Sequence, residues 1–209
     1  MIEMEDKNIT GIILAGGKSS RLGRDKARET IGNVPLIQRV VMALAEVSSE
    51  IIVVGSKLTN LTEINGVNIR TVKDRASNRG PLMGIYSGLS QASYPYACLV
   101  ACDLPFLDPA VLKLLIELAP GRQAVVPLIQ EIPQPTHAIY ARSILPHIEE
   151  ALKTEGGGLR TLLDNLEVKY VAEAQIREID RDLRSFMNIN TEDDLKEARR
   201  IYKTYRLST

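Results

Sequence analysis

Residues 11–26 read GIILAGGKSSRLGRDK, an apolar run that opens into Gly16, Gly17 and Gly23 set among Lys18, Arg21, Arg24 and Lys26. Glycines let backbone N–H groups come close to a phosphate, and the cations neutralise its charge. The stretch therefore has the composition of a phosphate-binding loop at a strand end. Two familiar forms of such a loop are absent: a Walker A motif needs glycine at position 12, where Ile12 stands, and no G-x-G-x-x-G occurs. An ordinary strand-to-helix turn with solvated Lys and Arg is the plainer alternative, because glycine pairs with nearby bases are common.

A second candidate is VACDLPFLDP, residues 100–109, in which an apolar run ends at Asp103. In an open parallel sheet, ligands sit beyond the carboxyl ends of the strands, near the point where strand order reverses. Gly16 and Asp103 both follow such ends. A carboxylate there suits Mg²⁺, which takes one or two carboxylates together with substrate phosphates; bracing the turn ahead of Pro105 is the alternative. Asp108 before Pro109 reads as a helix N-cap with proline in the first turn. Cys98 and Cys102 stand four residues apart in one apolar run. On a strand they would be about 13 Å apart, beyond the roughly 7 Å limit for bridging their Cα atoms, so they do not pair with each other. The only histidines are His137 and His147, and no Cys/His cluster has zinc-site spacing, which leaves a hard cation on carboxylates as the metal to consider. His137 reads equally as a core-edge residue and as a contact, and Tyr140 and the cysteines as packing residues.

The elements that must position these groups follow from the apolar pattern. Continuous runs at GIILAG from Gly11, IIVVG from Ile51, NIRTV from Asn68, YACLVAC from Tyr96 and QAVVP from Gln123 suit strands covered on both faces. Between them, Pro35 to Val47 places Leu36, Val40, Val41 and Leu44 on one helical face behind an N-terminal proline, and Leu82 to Ala92 and Pro109 to Ala119 read similarly. This strand–helix alternation predicts a mostly parallel sheet with helices on both sides. After Val126 the pattern loosens, with Pro127, Pro133 and Pro135 around a polar loop. A short strand HAIYA from His137, a helix from Leu145 to Leu152, a triple-glycine turn at 156–158, a short helix LRTLLDNL, an alternating strand EVKYVAE and a final helix from about Thr191 to Tyr205 follow. Thr191 with Asp194 resembles a capping box using Asp in place of Glu.

Lys+Arg and Asp+Glu each number 26 among 209 residues, so no net field favours nucleic acid or anionic lipid as a partner. Hydrophobic residues at 44% and charged residues at 25% exclude disorder. No apolar run reaches the roughly 20 residues that span a bilayer, and the opening MIEMEDKNIT is acidic where a signal peptide is basic. The expectation is a cytoplasmic protein of one domain over 1–209, with no membrane partner.

LAGGKSSRLGRDKA, residues 14–27, resembles the L-A-G-G-x-S-x-R-M-G-x-D-K signature of the molybdenum cofactor guanylyltransferases, the MobA family within the wider nucleotidyltransferase group. Lys73–Asp74, GPLMGIYSGL from Gly80, CDLPFL from Cys102, HAIY from His137 and NINTEDDL from Asn188 agree in order, so the resemblance covers nearly the whole chain. It departs where Leu22 replaces methionine and Ala27–Arg28 replaces a more apolar pair. The resemblance implies a Rossmann-like, GT-A-like three-layer sandwich with a short antiparallel element in the C-terminal third. Its nucleotide-binding half would run over about 8–128 and its acceptor-binding half over about 129–209. It implies transfer of GMP from GTP to the terminal phosphate of molybdopterin, with pyrophosphate released and Mg²⁺ as cofactor.

Carried over by position, the same resemblance puts Leu14, Ala15, Gly16 and Gly17 on the nucleotide. Lys18, Arg21 and Lys26 would lie along the phosphates, with Lys26 at the α-phosphate, and Lys26, Arg21 and Asp103 form the catalytic set. Asp74, Gly80 and Pro81 fall near base and ribose, and Asp103 is the Mg²⁺ ligand. Asn190 is either a second metal ligand or a cap for the last helix. Lys26 has an alternative of its own, a surface pair with Glu29. For the acceptor phosphate Arg142, Arg160 and Arg177 are candidates, each equally readable as a solvated arginine. Contacts with other cofactor-biosynthesis proteins for handover also come with the resemblance. Two other readings stand beside this one. The first is a related enzyme, such as a molybdopterin cytidylyltransferase or a guanylyltransferase of a phosphorylated small acid. The second is a non-catalytic nucleotide-binding protein.

Overall fold

The computed structural model describes residues 8–15, 27, 29–55, 62–73, 80–154 and 158–206. The first run forms β1 (Ile9–Leu14), which starts two residues before Gly11. A two-residue hairpin, β2 (Thr30–Ile31) and β3 (Val34–Pro35), leads into α1 (Leu36–Ala45). Pro35 ends β3 at the N-cap rather than entering the first turn, because its ψ of 145° is extended. Next come β4 (Glu50–Val54), β5 (Glu63–Ile64), β6 (Val67–Val72), α2 (Pro81–Leu89), β7 (Tyr96–Ala101) and α3 (Pro109–Glu117). Asp108 caps α3 as its sequence predicts, its Oδ1 accepting from the Ala110 amide at 2.8 Å.

The looser region after Val126 is a hairpin, not a loop. β8 (Ala124–Ile129) turns at Gln130 and Glu131, both at positive φ, into β9 (Ile132–Pro133). β10 (His137–Ala141), α4 (Leu145–Lys153), α5 (Leu159–Asp164), β11 (Val168–Val171), α6 (Glu173–Arg177) and α7 (Glu192–Arg206) complete the chain.

Among the described residues one nine-stranded sheet runs β11-β8-β10-β7-β1-β4-β6-β5, with β9 paired to β8. β6, β4, β1 and β7 are mutually parallel. β10 inserts antiparallel between β7 and β8, so both halves of the chain share the sheet.

Side chains alternate strictly between two cores. Ile13, Ile51, Val53, Cys98, Val100 and Ile139 pack with α1 and α3. Ile12, Ile52, Val54, Leu99, Ala138 and Tyr140 pack with α2, α4 and α5 on the other face. Burial on both faces is why these strands read as unbroken apolar runs. A third cluster, Ile31, Leu36, Ile189, Leu195 and Ala198, seats α7 against the β2–β3 hairpin.

Candidate active site

The sheet reverses its strand order beside β1. From β1 the chain moves outward to β4 and β6, then returns to lay β7 on the other side of β1. The crevice beyond the carboxyl ends of β1 and β7 is thus the switch point at which open α/β sheets bind ligands. Leu14 and Ala101 are register partners. One step further the Cys102 amide donates to the Leu14 carbonyl at 3.1 Å, while the Ala15 amide donates to the Val54 carbonyl at 2.9 Å. Leu14–Ala15 and Cys102–Asp103 therefore leave the sheet side by side, the first leading into the glycine-rich stretch and the second carrying a half-buried carboxylate.

α2 reaches the same edge. A Cβ on Gly84 would lie 3.1 Å from Leu14 Cδ2, and one on Gly88 would lie 2.6 Å from Ile12 Cγ2. The two glycines let the helix sit close on β1 and run against it, so that its N-terminus extends past Leu14. Gly80 turns the chain into that terminus at φ 70° and ψ −173°, a conformation essentially reserved for glycine. Pro81 follows at the first helical position, where its missing N–H loses nothing.

From the C-terminal third, residues 180–190 lie over the end of β7, held at several points. The Asp180 carboxylate accepts from the amides of Arg184 (3.1 Å) and Ser185 (2.7 Å). The Asp108 amide donates to Ser185 Oγ at 3.0 Å. The Phe186 ring stacks on His137 with centroids 4.3 Å apart. The Ile189 amide donates to the Asp103 carbonyl at 3.0 Å, which brings Asn190 to within one residue of a direct tie to Asp103.

The capping role weighed for Asn190 belongs to Thr191. Its Oγ1 accepts from the Asp194 amide (3.2 Å), while Asp194 Oδ2 accepts from the amides of Thr191 (2.7 Å) and Asn190 (2.9 Å). This is a capping box with the shorter acid.

The Asp103 carboxylate and the Asn190 amide oxygen are hard donors of the kind Mg²⁺ accepts when water and phosphate oxygens fill its remaining positions. Among the described residues no three His, Cys, Asp or Glu side chains gather around a common point, so the donor set does not suit a metal held wholly by protein. Burial pulls His137 from its ordinary 6.5 down to about 3, keeping the ring neutral. It pushes the Cys98 thiol up to about 12, which removes that sulfur as a nucleophile.

Leu14, Ala15, Gly80, Pro81 and Asp103 thus gather at one edge, with Asn190 beside them. Gly16, Gly17, Lys18, Arg21, Lys26 and Asp74 lie outside the described residues. Of the acceptor candidates, Arg142 is misplaced. Its amide bonds the Pro95 carbonyl at the amino end of β7, about one strand length, or roughly 20 Å, from Asp103. Arg177 is committed to Glu173 (2.7 Å) and to the Arg181 carbonyl (2.5 Å). Arg160 is exposed on α5. Sequence reasoning passed over residues 180–187, whose polar, aperiodic composition gives no signal of what they fasten to.

Residues 11–171 match the family described as the MobA-like NTP transferase domain. A probable molybdenum cofactor guanylyltransferase of Pelotomaculum thermopropionicum is 35% identical, covering 91% of each chain. A molybdenum cofactor guanylyltransferase of Desulfosudis oleivorans is 36% identical, covering 96% of this chain and 98% of its own. The crystal structure of molybdopterin-guanine dinucleotide biosynthesis protein A from Archaeoglobus fulgidus superposes with a TM-score of 0.77 at 27% identity, covering 93% of this chain and 99% of that one. Sheet order, the switch point at β1 and β7, and similarity along most of the chain converge: this protein belongs to the MobA-like NTP transferase family.

Proposed function

We propose that the chain is a molybdenum cofactor guanylyltransferase, which transfers GMP from GTP to the terminal phosphate of molybdopterin and releases pyrophosphate. The observation that carries this reading is the emergence of Leu14–Ala15 beside Asp103 at the switch point. It is supported by relatives named for that activity along more than nine-tenths of the chain. In the reaction an oxygen of the molybdopterin phosphate bonds to the α-phosphorus of GTP. The bond from that phosphorus to the bridging oxygen breaks, and its electron pair leaves with pyrophosphate.

Such a transfer asks for alignment and charge stabilisation more than covalent chemistry from the protein. Leu14, Ala15, Gly16 and Gly17 would shape the wall against the nucleotide, and Lys18, Arg21 and Lys26 would lie along its phosphates. Lys26 would meet the charge that shifts at the α-phosphate. Asp74 and the Gly80–Pro81 turn would read base and ribose. Asp103 and Asn190 would hold Mg²⁺, which when bound neutralises phosphate charge. Among the described residues no helix is long and apolar enough to cross a membrane.

The test offers GTP, ATP or CTP with molybdopterin and Mg²⁺, and follows pyrophosphate together with the mass of the dinucleotide. The expected result is one pyrophosphate per guanine dinucleotide, with GTP preferred. A site built to pair guanine leaves polar groups unmatched by the wrong base, at about 1–3 kcal/mol each. Product from CTP alone overturns the reading in favour of a cytidylyltransferase, and GTP binding without turnover in favour of a non-catalytic protein.

A further inference from the structure

His137 opens β10 opposite Val100, three residues before Asp103 on the neighbouring strand. It is 3% exposed, and among the described residues neither ring nitrogen has a hydrogen-bond partner. An imidazole stripped of water on both nitrogens is a poor core filler, since unmet buried polar groups are destabilising. Among the described residues its ring stacks on Phe186, at 4.3 Å between centroids and 22° between planes.

The backbone that carries the ring is fixed. The Ala101 amide bonds the Thr136 carbonyl and the His137 amide bonds the Gln134 carbonyl, each at 3.0 Å. Along the strap the stack sits between two hydrogen bonds, Asp108 to Ser185 on one side and Ile189 to Asp103 on the other. Residues 178–190 carry only one short turn of helix, at Arg184–Phe186, so point contacts of this kind determine where the segment lies.

We propose that His137 is a positioning residue. Stacked on Phe186, it pins the strap to the end of β7 and thereby sets Asn190 against Asp103. The proposal rests on the reading of Asp103 and Asn190 as the divalent-cation pair, and it adds the residue that keeps them in register. Polarity at position 137 is not what the strap uses; a flat ring is.

The test measures amide hydrogen exchange of the whole protein without nucleotide, alongside Mn²⁺ binding by electron paramagnetic resonance with a non-hydrolysable GTP analogue. His137→Ala should speed exchange at the Ile189 and Asp108 amides by about tenfold or more, as loss of a stacked ring warrants. Ile52 and Leu99, within the sheet, should keep their protection, and Mn²⁺ affinity should fall in parallel. His137→Phe should restore both readings. Unchanged exchange at Ile189, or a rise no larger than that of Ile52, overturns the proposal, as does His137→Phe behaving like His137→Ala. Phe186→Leu repeats the measurement from the other side of the stack, so failure of His137→Ala to fold does not prevent a decision. If the wild-type protein binds no Mn²⁺, the metal reading of Asp103 and Asn190 falls, and exchange alone decides the strap.

Discussion

The Ile189 amide donates to the Asp103 carbonyl at 3.0 Å, tying the segment before the last helix to the carboxyl end of a central strand. A lone aspartate at a strand end can brace a turn, cap a helix or hold a cation. Here the capping task nearby is discharged by Asp108 and Thr191, and the turn is held by backbone bonds. Capping near this turn therefore falls to other residues, and the tie from Ile189 sets Asn190 one residue from a direct bond to the Asp103 backbone.

Asp103→Ala and Asp103→Asn should lower the transfer rate by at least about a hundredfold, because charge stabilisation by a metal-bearing carboxylate acts at the transition state. Both variants keep the Asp103 backbone and with it the bond from Ile189, so the protein should stay folded. Steady-state kinetics with melting curves checks this. A folded Asp103→Ala variant with substantial activity would remove Asp103 from the metal.

Gly88→Ala should destabilise the protein by about 1–2 kcal/mol, a fall of a few degrees in Tm for a chain of this size. The added Cβ meets Ile12 Cγ2 at 2.6 Å and Cδ1 at 3.1 Å, and Ile12 is fully buried with nowhere to retreat. Alanine's better helix propensity returns about 1 kcal/mol, less than the clash at this separation removes. Calorimetric melting decides; an equal or raised Tm would mean that α2 can lift off β1 freely.

What the sequence made legible is what local chemistry determines. Ile12 and Ile13 face opposite cores, so GIIL had to be apolar throughout. Asp108 and Thr191 cap helices through contacts two or three residues away. What it hid depends on distant partners. The β8–β9 hairpin turns at Gln130–Glu131, where neither residue is the glycine that usually marks positive φ. Arg142 resembles any other arginine until its amide is found on Pro95, at the wrong end of β7. His137 has no periodicity that would announce Phe186 as its partner.

Burial of His137 carries a pH signature. Its folded pKa of about 3 lies below the ordinary 6.5. Between those values the unfolded chain binds a proton that the native protein refuses, so stability rises with pH across that window and falls on acidification. The slope reaches about 1.4 kcal/mol per pH unit below 6.5, or roughly 2 kcal/mol lost at pH 5 relative to neutrality. Above 6.5 the slope fades to nothing over about one pH unit. Urea unfolding at pH 7 and pH 5 should show a larger acid loss for the wild type than for His137→Phe, with the carboxylate contributions common to both. Equal losses would show that the imidazole accepts its proton while folded.

Lys26 follows Gly23 by three residues in the stretch proposed to run along the triphosphate. If its ammonium meets the α-phosphate, its main contribution comes as negative charge shifts there during transfer. Lys26→Ala should then lower kcat by more than it weakens GTP binding. Lys26→Arg should rescue poorly, because a planar fork does not reproduce a compact point charge. The competing role is a surface pair with Glu29, worth only about 0.2–0.5 kcal/mol on a helix. That carboxylate also faces Arg199 Nη2 at 3.6 Å. Steady-state kinetics of both variants, with calorimetric titration of GTP, separates the two. A kcat near the wild-type value in Lys26→Ala would return the lysine to the surface and leave charge stabilisation to Lys18, Arg21 and the metal.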